Sequence, residues 1–142
     1  MRLQRTSLSV WPQQIVHMRA RQNFGESFVC LIDGALRIKL LSPVFSQNMY
    51  QGVYEDLSPQ EVPEDVSLFE IDATKYPLLD QVSSFVQTAE LRKGDCLYIP
   101  QFYFYQHVSE QGDAMFMSFT YEASSKLTEL FVNAIHAGVL DK

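Results

Sequence analysis

Few residues of this 142-residue chain could carry metal or redox chemistry. It has three histidines, His17, His107 and His136, and two cysteines, Cys30 and Cys96, all distant from one another in the sequence. Both cysteines lie inside apolar runs with no metal-knuckle or disulfide-framework spacing, which favours two buried small hydrophobic residues and a reducing compartment. The spacing of these residues alone therefore predicts no metal or redox centre.

Other common functional patterns are absent from the sequence. There is no Gly-rich phosphate loop, no Gly-x-Ser-x-Gly elbow and no His-Glu-x-x-His. The formal charge of −6 and the lack of a basic stripe argue against nucleic-acid binding. No apolar run approaches the ~18–20 residues of a membrane span. Five carboxylates between Glu55 and Asp65 predict a solvated acidic loop in preference to a calcium site.

Alternation of polar and apolar residues predicts a chain built mostly of short strands. We expect strands at 7–11, 15–18, 27–32, 35–41, 67–71, 86–91, 96–99, 102–108 and 114–121. Asp33-Gly34 is typical of a type I′ turn and predicts a hairpin over 27–41, and Lys93-Gly94-Asp95 predicts a second tight turn. Such a set of strands predicts a small antiparallel barrel or sandwich in a single domain, 1–142.

Two segments depart from this strand pattern. Residues 42–66, called the excursion below, contain three prolines and several acids, and little regular structure is expected there. From residue 124 the apolar residues recur at helical spacing, which predicts a C-terminal α-helix over about 125–140 with His136 on its polar side. The apolar face of that helix needs a partner surface.

Four segments, taken in order, resemble the cupin-like JmjC family. Residues 91–100, LRKGDCLYIP, are similar to its "GDxLYIP" motif, and residues 28–34, FVCLIDG, to its "NFLCVLDG" strand and turn. Residues 35–43 resemble the return strand that ends in a proline, and IDATKYPLL at 71–79 resembles "VDxEKFPLF". The resemblance spans about 7–121 and implies a mainly β fold, a double-stranded β-helix of cupin or jelly-roll type.

Most active members of that family are Fe(II)- and 2-oxoglutarate-dependent oxygenases, whose facial triad is a His-x-Asp/Glu pair and a later His. The resemblance places the pair at Arg21 and Asn23 and the 2-oxoglutarate lysine at Leu36. The later His falls at Tyr105 when counted from the proline, and at Gln106 when counted back from the valine. A guanidinium cannot ligate iron, and an amide is a poor substitute for a carboxylate. His17 and His107 are the alternative metal candidates. Arg37 should point to the face of its strand opposite Leu36.

We therefore expect a non-catalytic domain with no metal or cofactor, acting as a structural or protein-interaction subunit of a larger assembly. The excursion and the terminal helix would contact protein partners, or the helix would form a homodimer. One alternative is a hydroxylase using Fe(II) and 2-oxoglutarate at an atypical site with His17 or His107. Another is a metal-free small-molecule binder with an open pocket between Tyr103, Tyr105 and the 27–41 hairpin.

The expected location is intracellular and cytoplasmic. Residues 1–25 contain four arginines and no acid, a composition that is also found in organelle presequences. The mitochondrion is therefore the alternative location. The surplus of acids after residue 25 favours a partner with a basic surface.

Overall fold

The computed structural model describes residues 2–11, 19–53, 61–109 and 111–122. Within these ranges the chain forms eight strands in two four-stranded antiparallel sheets, as the mainly β prediction required. The strands are β1 (Leu3–Trp11), β2 (Arg21–Gln22), β3 (Glu26–Asp33), β4 (Ala35–Leu41), β5 (Gln87–Arg92), β6 (Cys96–Ile99), β7 (Phe104–Val108) and β8 (Ala114–Tyr121). One short helix, α1 (Pro77–Gln81), and the 3₁₀ turns Pro43–Phe45 and Ser83–Phe85 complete the described elements.

The two sheets pack face to face around an apolar core. The first sheet has the strand order β1-β8-β3-β6, and the second has the order β2-β7-β4-β5. Alternate residues of each strand point between the sheets, and Leu31, Ile38 and Ile99 are among those that are buried there. The rest of each strand forms an outer face.

The hairpin expected over 27–41 is wrong, although both of its strands exist. β3 pairs with β6 and β8, whereas β4 pairs with β5 and β7, so the Asp33-Gly34 turn carries the chain from one sheet to the other. Gly34 has φ +86°, and a Cβ there would lie 2.4 Å from the Asp113 carbonyl oxygen. The turn therefore needs glycine at a corner between two sheets, not at a hairpin tip.

The expectation that the cysteines are separate buried residues is also wrong. Cys30 of β3 and Cys96 of β6 are register partners and form a disulfide. Both side chains lie on the outer face of the first sheet, where Cys96 is exposed. A disulfide is typical of oxidising compartments, so this bond weighs against the reducing compartment that the sequence suggested.

The excursion packs on the chain's own second sheet. Its described parts, 42–53 and 61–66, and the residues that follow form a second apolar cluster, which includes Met49, Val66, Tyr76, Leu79 and Phe104. The end of the second sheet's outer face that contains Leu41 and Phe104 is therefore covered, while Val44 and Val53 of the excursion stay exposed. The result is three layers: first sheet, second sheet and excursion.

The strand expected at 67–71 is absent. The Ser67 hydroxyl accepts the N–H groups of Phe69 and Glu70, and the Gln106 side chain accepts the N–H of Leu68 at 2.6 Å. These local bonds use donors that a sheet ladder would need, so this segment turns. The run expected at 15–18 and the helix expected at 125–140 lie outside the described residues. Among the described residues, no helix is long and apolar enough to cross a membrane.

Candidate binding cavity between the sheets

Three of the expected site positions meet at one wall of the space between the sheets. Arg21 pairs with Tyr105 across β2 and β7, and His107 follows two residues later on the same face of β7. Burial raises the pKa of Tyr105, and the positive charge of Arg21 partly opposes that rise. The guanidinium of Arg21 therefore lies close to the side chains of Tyr105 and His107. His17 lies outside the described residues.

His107 is an uncharged, partly buried ring at neutral pH. Burial and, to a smaller extent, the nearby charge of Arg21 together lower its pKa to about 4. Trp11 and Phe116 pack edge-on against the imidazole, with ring centroids 4.7 and 5.4 Å away. Its Nε2 atom is buried without a hydrogen-bond partner among the described residues, so it is not the internally bonded strand histidine that is the ordinary expectation.

Asn23 is a structural clamp at the end of the cavity. Its Nδ2 donates to the carbonyl oxygens of Gly25 at 2.6 Å, Ile99 at 3.0 Å and Pro100 at 3.2 Å. Its Oδ1 accepts from the Ser27 hydroxyl at 2.9 Å. This buried side chain needs both an amide donor and an amide acceptor, which a carboxylate ligand could not supply.

Leu36 occupies the position of the family's lysine as an apolar core residue, 2% exposed. The neighbouring Arg37 lies on the opposite face of β4, where its Nε is 3.4 Å from an oxygen of Glu90. Strand alternation predicted this separation correctly. The described side chain at this position therefore offers no cation to a 2-oxoglutarate carboxylate.

A cavity of about 500 Å³ lies between the sheets beside Arg21, Tyr105 and His107. Along the first sheet, inward-facing side chains of neighbouring strands meet in rows. From the Arg5 end these rows are Arg5–Thr120–Ser27, Ser7–Ser118–Val29, Ser9–Phe116–Leu31 and Trp11–Ala114. The cavity wall is therefore polar at the Arg5 end and apolar at the Trp11 end.

The inward serines reverse the usual amphipathic pattern of a sheet strand. Ser7 and Ser9 of β1 line the cavity, while Leu8 faces outward and is 59% exposed; Val10, 57% exposed, lies on the same outer face and also borders the cavity. In β8, Ser118 and Thr120 face inward together with the buried Ala114 and Phe116. The outer face of the first sheet is consequently mostly apolar, and besides Thr6 it contains Leu8, Val10, Phe28, Cys30, Ile32, Cys96, Tyr98, Met115, Met117 and Phe119.

The described residues of the cavity do not fit an iron facial triad. No group of three or more His, Cys, Asp or Glu side chains in the described ranges could hold a metal ion. Among the described lining residues His107 is the one imidazole, and the other polar side-chain groups are guanidinium, hydroxyl, phenol, the indole N–H of Trp11 and the amide of Asn23, which is already hydrogen-bonded. A nearby guanidinium charge also opposes a second cation.

A family model described as "Cupin-like domain" matches residues 4–127. The chain belongs to the cupin-like domain family. A search of the curated proteins finds no match to this cupin-like domain. The family assignment agrees with the two antiparallel sheets and with the resemblance in the strand-turn-strand motifs.

Solved structures similar to this cupin-like domain include an epoxidase, a cupin domain of CENP-C and a cupin superfamily protein. Hydroxypropylphosphonic acid epoxidase from S. wedmorenis is 8% identical with a TM-score of 0.48, over 82% of this chain and 42% of the epoxidase. The Drosophila melanogaster CENP-C cupin domain is 11% identical with a TM-score of 0.47, over 82% and 59%. A Desulfitobacterium hafniense cupin superfamily protein is 13% identical with a TM-score of 0.46, over 86% and 69%. The chain thus spans less than half the length of the epoxidase.

Proposed function

We propose that this cupin-like domain is a JmjC-like member without oxygenase activity, serving as a structural or protein-interaction subunit. Its contact surface is the outer face of the first sheet. The observation that carries this proposal is the reversed amphipathicity of β1, which turns Leu8 to solvent and serines inward, beside the outward-facing Met115 of β8. A contiguous apolar patch on a sheet face is a feature of interaction surfaces.

The same reversal is absent from the second sheet. There the inward residues Leu36, Ile38 and Leu40 are apolar, and the excursion covers the end of the outer face that contains Leu41 and Phe104. The rest of that face carries the charged Arg37 and Glu90, so a partner has more apolar area to bury on the first sheet. Phe28 and Tyr98, with ring centroids 5.2 Å apart, supply the aromatic side chains typical of interface centres.

The partner is a protein with apolar side chains set among basic ones. Glu26 lies at one end of the outer face of the first sheet, and Asp33 lies at the other. The whole chain carries −6. Basic groups around an apolar centre would match both the ends of the patch and the net charge, and would accelerate association.

Position-specific photocrosslinking tests this surface. We expect a benzophenone amino acid at Leu8 to form an adduct with one foreign protein, and the same label at Val53 to form none. Val53 is 59% exposed, as Leu8 is, but lies in the excursion. The purified partner should then bind Leu8→Glu at least about 10-fold more weakly than wild type, because the interface would bury an unpaired charge.

A matched variant controls for effects on folding, and three outcomes would contradict the proposed surface. Val53→Glu should bind that partner as the wild type does, and both variants should keep the wild-type thermal midpoint. Equal adducts at both positions, no adduct at Leu8, or adducts only with a second copy of this chain would each contradict a foreign partner at this face.

Metal binding separates this proposal from an atypical hydroxylase. We expect calorimetry to detect no Mn(II) or Fe(II) binding of sub-millimolar affinity, because one imidazole beside a guanidinium is a poor cation site. We also expect no succinate from 2-oxoglutarate. Sub-millimolar binding that His107→Ala abolishes, accompanied by succinate formation, would instead support the hydroxylase.

A further inference from the structure

The cavity between the sheets concentrates positive charge without a matching acid. Arg5 and Arg21, both of them solvent-exposed, line it, and no carboxylate does among the described lining residues. Neither guanidinium forms an ion pair with any described carboxylate. His107 is neutral at pH 7, so the charge of the described wall resides in the two arginines. An arginine facing a partly enclosed space is suited to bind an anion through paired N–H groups.

The end of the cavity away from Arg5 is mostly apolar. Trp11 and Phe116 enclose the His107 ring there, and Ile38 of the second sheet also lines the cavity. A simple inorganic anion would satisfy the arginines and leave this part of the cavity to water. A volume of about 500 Å³ is within the range of small-molecule sites.

We propose that the cavity binds a small amphipathic carboxylate. Its carboxylate is bound by the guanidinium groups of Arg5 and Arg21, the hydroxyl of Thr120 beside Arg5 can add a hydrogen bond, and its apolar body contacts Trp11 and Phe116. No metal takes part in this binding. The site is independent of the outer face of the first sheet, so either proposal can fail without the other.

The single tryptophan of the chain reports on this site. Trp11 lines the cavity, so its fluorescence responds to occupancy. We expect 4-phenylbutyrate to change the emission of the full chain in a saturable way. 4-Phenylbutan-1-ol, which has the same apolar body without the charge, should bind at least about 10-fold more weakly, because it forms no charge-assisted bond.

Arginine variants identify where the carboxylate binds. Arg21→Gln and Arg5→Gln should each weaken 4-phenylbutyrate binding about 10-fold or more. Arg92→Gln removes an exposed arginine outside the cavity and should leave binding unchanged. Matching thermal midpoints would show that all three variants fold, so that a loss of affinity reflects the site itself.

Four results would overturn the assignment. The alcohol could bind as tightly as the carboxylate, or both arginine variants could bind as the wild type does. Emission could show no saturable change up to concentrations on the order of 10 mM. Finally, inorganic phosphate could bind as tightly as 4-phenylbutyrate, which would indicate a simple anion site in which the apolar end plays no part.

Discussion

Replacing Cys30 and Cys96 together with serine is expected to lower the free energy of unfolding by about 4 kcal/mol. The disulfide joins residues separated by 66 positions, and a cross-link restricts the unfolded chain more as the closed loop lengthens. Native domains are stable by only about 5–15 kcal/mol, so this is a large fraction of the total. For a chain of this length the thermal midpoint should fall by roughly 10–15 °C.

Reductant supplies the internal control for this prediction. Thermal unfolding of the wild-type chain should shift downward in reductant by about as much as it does in the double serine variant. The variant itself should be insensitive to reductant, because it has no other cysteine. A double variant as stable as wild type, or a reductant effect of equal size in both proteins, would contradict a stabilising disulfide.

The sequence predicted the strands better than their pairing. Alternation and turn residues located most of the described strands, because side-chain period is a local property. The partners of β3 are β6 and β8, far along the chain, and no local signal specifies them. The Asp33-Gly34 dipeptide was compatible with a hairpin and with a corner between sheets, since both use a glycine with positive φ.

The disulfide follows from the same pairing. Cys30 and Cys96 become neighbours only when β3 and β6 pair. Without that pairing, the sequence shows only that each cysteine lies among apolar residues, which indicated burial. Two motifs of the family resemblance predicted the strands that contain the cysteines: the segment similar to "NFLCVLDG" contains Cys30, and the segment similar to "GDxLYIP" contains Cys96. Neither motif indicates that these two strands are adjacent in a sheet.

The site was predictable in part. Alternation along β4 correctly put Leu36 inside and Arg37 outside. The role of Arg5 was missed, because β1 reads equally well with either face inward. β1 has one polar face, Arg5, Ser7 and Ser9, and one apolar face, which includes Leu8 and Val10. Only the register with β8 shows which of the two faces the cavity.

The reversed strands explain why both proposals concern the first sheet. If Leu8 and Val10 faced inward, the barrel would be filled with apolar side chains and the outer face would be an ordinary polar surface. With hydroxyls inward, the same residues leave space and polarity between the sheets and apolar area outside. One choice of register therefore produces a cavity for a ligand and a surface for a partner.

Asn23→Asp, which restores a carboxylate at the position expected for an iron ligand, should destabilise the fold by about 3 kcal/mol or more at pH 7. The amide donates to three carbonyl oxygens in a buried site. An aspartate there would direct its negative oxygens at those carbonyls and leave them without donors. The restored ligand would thus break a structural clamp before any metal could bind.

The pH dependence of that variant tests the physical reason. Burial and the facing carbonyls disfavour the charged form, so the pKa of the introduced carboxyl should rise above the usual value near 3.9. A group with a raised pKa in the folded state binds more protons there. The destabilisation should therefore be full at neutral pH, and should shrink as pH falls through the raised pKa toward about 4, where the acid can donate one hydrogen bond.

Asn48→Asp is the matched control for Asn23→Asp. Asn48 donates to one carbonyl, that of Leu78, at 2.8 Å in a solvent-exposed bond, so water can replace the lost donor and the change should stay within about 0.5 kcal/mol. Chemical denaturation at pH 7 and pH 4 measures both variants. If Asn23→Asp were as stable as wild type at pH 7, Asn23 would be a vacated ligand position and not a clamp. The expected loss would instead mean that this cupin-like domain has built the residue into its scaffold, so that recovering an iron site would require more than restoring a ligand.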